Sequence, residues 1–169
     1  MTSAFRTPGA VGVPNPDRDA DRGLILKAEA LAAASLANKF PTPLRGKNIG
    51  ILCDDPGGPA ATLFASAASE LGAHVVCIPI TLDDRSAVAV IRDTAVLLAK
   101  LYDAVECLTM PPLVVESMQA SANVPVFLGL SSDTHRTAAL AAGITPRPGE
   151  QPTARRRILQ AALLQALGC

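Results

Sequence analysis

Two short stretches hold the residue types that could do chemistry. The first is Asp54-Asp55-Pro56-Gly57-Gly58-Pro59, directly after the apolar run Ile49-Gly50-Ile51-Leu52. Gly57 and Gly58 expose backbone N–H groups where a helix is expected to start, and such a start suits an anion. Asp54 and Asp55 oppose an anion, and Pro59 removes one donor. The same residues also read as a tight Pro-Gly turn with its carboxylates in water. The second stretch is His135-Arg136, at the head of a helical segment. His135 can hydrogen-bond a neutral amide or carbonyl, which makes it the candidate catalytic residue; it can equally cap its helix. Arg136 offers an anion contact or a solvated cation. The ligand-binding candidates are thus Asp55, Gly57, Gly58, His135 and Arg136. No Cys and His residues share metal-ligand spacing, so no metal and no cofactor are expected.

The elements that must position these residues follow a regular alternation. Residues 1–20 read as a flexible leader, broken by Pro8, Gly9, Gly12, Pro14 and Pro16. Asp21 to Lys39 is Ala- and Leu-rich and reads as a helix, punctuated by Leu24, Leu31, Leu36 and Phe40 and stopped by Pro41 and Pro43. Asn48–Cys53, His74–Ile80, Ala104–Leu108 and Val124–Leu128 read as buried strands. Ala60–Leu71, Ser86–Leu101, Pro112–Ala122 and His135–Ala142 read as the helices between and after them, with Gly72 and Gly143 as stops. Residues 144–152 read as a Pro/Gly linker. Thr153–Leu167 reads as a last helix with an apolar stripe at Ile158, Leu159, Ala162, Leu163, Ala166 and Leu167, which must dock on something, most simply its own domain. Strands alternating with helices imply βαβ units and a parallel sheet, hence an α/β domain. Because the strands are apolar runs, both faces of the sheet should be covered.

Composition narrows the function classes. Hydrophobic residues make up 49 % and charged residues 18 %, as in a globular chain. Aromatics are only 3 % and formal net charge is zero, so neither stacking platforms nor a basic field points to nucleic acid. Arg155-Arg156-Arg157, with Arg147 nearby, reads as a solvated face or as a rim that pairs with a neighbouring subunit. No segment has the continuous apolarity of a membrane span, and a cytoplasmic location is expected. Cys53, Cys77 and Cys107 sit in strand-like runs and read as buried, reduced thiols.

The order of motifs resembles the N-terminal, carbamoyl-phosphate-binding half of the aspartate/ornithine carbamoyltransferase family. The resemblance rests on Leu44-Arg45-Gly46-Lys47, Pro56, Phe64 and Leu71-Gly72-Ala73-His74-Val75, then on Asp93-Thr94-Ala95-Val96-Leu97 and Tyr102-Asp103-Ala104-Val105. It continues through Val124-Pro125-Val126-Phe127-Leu128-Gly129-Leu130-Ser131-Ser132-Asp133 and covers residues 21–143. It implies a three-layer α/β/α sandwich with four parallel strands in the order 2-1-3-4. It also implies a homotrimer, and it places His135 in the same crevice as Asp55 to Pro59, at the point where ligands bind open α/β sheets.

The departures from the family pattern bear on activity. Gly57-Gly58-Pro59-Ala60-Ala61 stands where the family grips phosphate with Ser-Thr-Arg-Thr-Arg, Leu108 stands where it has a further Arg, and Ala138 replaces a Gln. Ala87-Val88-Ala89-Val90 replaces its Lys-Gly-Glu-Ser, and the half that binds the amino acid is expected to be absent. Carbamoyl transfer needs cations at the phosphate and donors at the carbamoyl oxygen, and loss of one such donor costs on the order of 100-fold. The expectation is a degenerate carbamoyltransferase-like domain, a binding or assembly subunit without classical carbamoyl transfer. The alternatives are an enzyme acting on a small carbamoyl or amide compound, completed by a separate amino-acid-binding subunit, and a small-molecule sensor. No nucleic acid or membrane partner is expected.

Overall fold

A computed structural model describes residues 16–37, 39, 41–80, 82–144 and 151–169 of the chain. Residues 1–15 of the expected leader, Phe40, and residues 145–150 of the expected linker lie outside the described residues.

The elements run α1 (Pro16–Leu36), β1 (Asn48–Leu52), α2 (Pro59–Glu70), β2 (His74–Ile78), α3 (Val88–Leu101), β3 (Ala104–Cys107), α4 (Pro112–Ser121), β4 (Val126–Leu128), α5 (Arg136–Ile144) and α6 (Gln151–Ala166). The sheet order is β2-β1-β3-β4 and every pair is parallel. This is the expected α/β sandwich with strand order 2-1-3-4.

Most boundaries shift by one or two residues, and α6 begins at Gln151 inside the expected linker; three of the differences have a local reason. Helix α1 begins at Pro16, inside the expected leader, because proline is tolerated in a first turn and Asp19 suits a helix N-terminus. Strand β4 begins at Val126 because Pro125 can accept the Val105 N–H through its carbonyl but has no N–H of its own to give. Gly143 lies within α5 rather than after it, and a side chain there would meet open space. Gly72 does end its helix. At φ +93° it lets its own N–H reach Ser69 O and lets Ala73 N–H reach Ala68 O, the Schellman closure.

Alternation along the strands divides the core. Ile49 and Ile51 face a cluster with Phe64, Ala67 and Leu71 of the α2 region and Leu159 and Leu163 of α6. Leu52, Val105 and Cys107 face Ile91, Leu98, Val115 and Met118 of α3 and α4. A third cluster joins Leu24 and Ala28 of α1 and Ala141 of α5 to Ile158 and Ala161 of α6. Helix α6 is therefore buried on two sides, between the sheet layer and the outer pair α1 and α5.

The polar contacts of α6 fix its seat. Gln160 is fully buried; its Nε2 donates to Ala67 O at 3.1 Å and to Glu70 at 2.9 Å, and its Oε1 accepts from Arg157 at 2.7 Å. Arg156 and Arg157 both pair with Glu70, at 2.6 and 3.2 Å. Burial works against the Glu70 charge, but the hydrogen bonds from Arg156 and Gln160 and the two guanidinium charges outweigh it and hold the carboxyl below the usual range. The arginine run is thus a tertiary clamp and not a solvated face.

Candidate functional site

The carboxyl ends of β1, β3 and β4 open into a cavity of about 390 Å³. It lies beside β1 and β3, where the winding of the sheet reverses. Cys53 follows β1, Leu108 and Thr109 follow β3, and Ser131, Ser132 and Asp133 follow β4; Asp55, Gly58 and the first turn of α2 form one wall.

The turn before α2 spends its own donors. Gly57 N–H donates to Asp55 Oδ1 at 3.0 Å, and Gly58 N–H donates to Asp55 O at 3.1 Å. This is an Asx turn, so the two glycine donors expected for an anion are held by Asp55 instead. Pro59 follows as the first residue of α2, and no side chain caps the helix. Asp55 and Gly58 line the cavity as expected; the chemistry they present is a carboxylate and a closed turn.

His135 sits at the head of α5 and is half-buried. Its Nδ1 lies 3.3 Å from Thr137 N and 3.1 Å from Thr137 Oγ1. The Thr137 hydroxyl already donates to Leu130 O at 2.7 Å, so the arrangement that satisfies all three groups has Nδ1 accepting the Thr137 N–H. That is a helix cap, with Nε2 carrying the proton. Burial, with the Arg136 and Arg155 charges second and third, pushes the imidazole below its ordinary range and so favours its neutral form. Arg136 points its chemistry elsewhere: its guanidinium pairs with Asp21 on α1. Arg136 therefore does not join Asp55 and Gly58 at the cavity, and neither it nor His135 lines the wall.

Two residues that the sequence did not place at the site shape it. Arg155 of α6 reaches into the cavity, donates to Ser131 O at 2.6 Å and pairs with Asp133. No local signal in the sequence announces this, since it joins α6 to the loop after β4. Glu106, in the middle of β3, is fully buried behind Ser131, and its Oε1 accepts from Ser131 N at 3.1 Å and Ser131 Oγ at 3.3 Å. Burial pushes its carboxyl up to about 8, against the pull of those hydrogen bonds, so it is largely protonated near neutral pH. Its Oε2 is buried without a partner among the described residues. The signal for Glu106 was present: a carboxylate inside an otherwise apolar strand. Among the described residues no group of three or more His, Cys, Asp or Glu could hold a metal ion.

No family model matches the chain. The chain is 34 % identical to the ornithine carbamoyltransferase of Actinobacillus pleuropneumoniae serotype 5b over 115 residues, 68 % of this chain and 34 % of that protein. It is 31 % identical to the catabolic ornithine carbamoyltransferase 1 of Staphylococcus epidermidis over 124 residues, 73 % of this chain and 37 % of that protein. Its fold superposes on the ornithine carbamoyltransferase of Pyrococcus furiosus with a TM-score of 0.64 at 25 % identity, over 75 % of this chain and 40 % of that one. The chain is a partial relative of the ornithine and aspartate carbamoyltransferases. The aspartate transcarbamoylase of Trypanosoma cruzi, in complex with N-(phosphonacetyl)-L-aspartic acid, shares the fold with a TM-score of 0.58 at 21 % identity, covering 75 % of this chain and 40 % of that one. This carbamoyltransferase-like domain spans about a third of the length of the curated relatives it matches. Among the described residues no helix is long and apolar enough to cross a membrane.

Proposed function

We propose that the chain is a degenerate carbamoyltransferase-like domain that binds or assembles without classical carbamoyl transfer. The observation that carries this reading is the charge balance at the cavity. Among the described residues, Asp55 and Asp133 contribute two carboxylates to the cavity, and its one guanidinium, Arg155, is already paired with Asp133. Carbamoyl phosphate is a dianion and needs cations at its phosphate. The Gly57-Gly58-Pro59-Ala60-Ala61 loop supplies none, and its glycine N–H groups serve Asp55. Calorimetric titration with carbamoyl phosphate, with inorganic phosphate as control, is expected to give no saturable heat at millimolar ligand. Micromolar, saturable binding of carbamoyl phosphate alone defeats the reading.

A second reading, an enzyme on a small carbamoyl or amide compound completed by a separate amino-acid-binding subunit, is favoured by one feature. The Asp133 side chain is 91 % exposed, so its pairing with Arg155 is weak and can be exchanged for a ligand at little cost. Positive titration that disappears in Arg155→Ala supports it. Of the residues expected from the sequence, Asp55 and Gly58 remain proposed for such a ligand, with Arg155 added, whereas Gly57, His135 and Arg136 do not line the cavity.

The same reading carries assembly as a cytoplasmic homotrimer. Val90, Leu97 and Leu101 are exposed and recur at helical spacing along α3, an apolar stripe suited to a subunit contact. Light scattering after size exclusion is expected to give three times the 17.4 kDa chain mass; a monomer mass across the concentration range refutes assembly.

A further inference from the structure

Cys53 and Cys77 are the two thiols that the sheet brings together. The β1–β2 register sets Cys77 opposite Ile51, so Cys53 stands two residues further along the chain on the same face. Both belong to the cluster beneath α2. Burial first, then the neighbouring Cys77 thiol, pushes Cys53 up to about 11. Cys53 is buried and lines the cavity, while Cys77 is half-buried on β2, an edge strand. Cys107 lies in the opposite cluster against α3 and α4, and Cys169 is exposed at the far end of α6.

We propose that Cys53 and Cys77 form a dithiol modification site that closes to a reversible intramolecular disulfide by exchange with a small-molecule disulfide. The Cys77 sulfur, the more accessible, attacks as thiolate and forms a bond to one sulfur of the small disulfide, whose own S–S bond breaks and releases one thiolate. Cys53 then loses its proton to solvent and attacks Cys77 Sγ, breaking the mixed disulfide and releasing the second small thiolate. The protein loses two electrons and two protons, and the small disulfide is reduced to two thiols. Diagonal neighbours on a sheet have Cα atoms about 7–8 Å apart, beyond the about 7 Å that a disulfide spans without backbone movement. Closure therefore draws the end of β2 toward β1, and as an edge strand β2 has no outer neighbour to resist. Because Cys53 is part of the cavity wall, the redox state of the pair is written into the shape of the cavity. This inference is independent of the function proposed above.

The test uses the full chain carrying Cys169→Ser, which removes the exposed thiol that could link two chains. Native protein is incubated with oxidised glutathione, alkylated and digested with trypsin. Cleavage after Lys47 and Arg85 leaves Cys53 and Cys77 on one peptide. That peptide is expected to become lighter by two hydrogen atoms, to recover with dithiothreitol, and to leave Cys107 as the free thiol. In Cys53→Ser the reaction is expected to stop with glutathione attached at Cys77, whereas in Cys77→Ser position 53 stays unmodified. Glutathione retained at Cys77 in the parent protein, or no change where an unstructured dithiol peptide is fully oxidised, overturns the proposal.

Discussion

Removal of residues 153–169 leaves an aggregated or unfolded chain: that is the expected result, read by light scattering and circular dichroism. Helix α6 is a structural wall and not an appendage. Ile158, Leu159, Ala161, Leu163 and Leu164 are at most 5 % exposed, and they close two of the three clusters. Burying a Leu or Ile contributes about 1.5–3 kcal/mol each. Four such side chains, with Ala161, amount to on the order of 10 kcal/mol, which is the full stability of a typical domain. A soluble truncation with unchanged urea unfolding sinks the account. Point variants keep the test graded. Leu159→Ala and Leu163→Ala should each cost about 2–5 kcal/mol, because each opens a cavity beside Phe64 and Ala67 that the sheet cannot collapse to fill.

Stability should also fall as pH rises through the neutral range, and Glu106→Gln should abolish that fall. Glu106 is fully buried, and its carboxyl is pushed from 4.5 up to about 8. Between these values the folded chain holds a proton that the unfolded chain has released, so the slope of unfolding free energy against pH is negative. The native advantage is complete below the unfolded value and lost by the time pH passes the folded one. The size of the loss is on the order of a few kcal/mol. Gln offers the same oxygen to Ser131 N–H and hydroxyl and cannot ionise, so the variant should be the more stable protein at pH 9 and close to the parent at pH 5. Urea midpoints across pH 5–9 for both chains decide it. A parent whose stability is flat from pH 5 to 9 rules out a buried titrating Glu106.

What the sequence made legible follows from range of interaction. The strands announced themselves because Ile49-Gly50-Ile51-Leu52 and Ala104 to Leu108 are apolar runs bounded by Gly, Pro and Asp, which act locally. Gly72 was legible as a stop because its left-handed backbone and Ser69 and Ala68 acceptors lie within one turn. Gly143 looked identical in type, but its place within α5 is set by packing and not by composition. The position of Asp55 and Gly58 at the cavity was legible because the loop after β1 carries its own signature. Arg155 was not, because its partners Ser131 and Asp133 come from the loop after β4 and the contact exists only once α6 has docked. Arg136 was misplaced for the same reason, since Asp21 is remote in sequence. The capping bond of His135, by contrast, spans two residues and was visible as one of its two readings.

The docking of α6 also sets when this protein can fold. Every strand among the described residues precedes α6 in chain order, so synthesis delivers this four-stranded sheet before the segment that covers it. The bonds that seat α6 reach far back along the chain: Gln160 finds Ala67 across 93 residues, and Lys27 donates to Cys169 across 142. Closing such long loops is slow, and the reward arrives only after closure. The apolar face around Phe64 and Ala67 therefore waits uncovered on a nascent chain until Leu159 and Leu163 emerge. The sheet is thus completed before its cover arrives, and the interval between the two is the one in which a chaperone has a surface to hold.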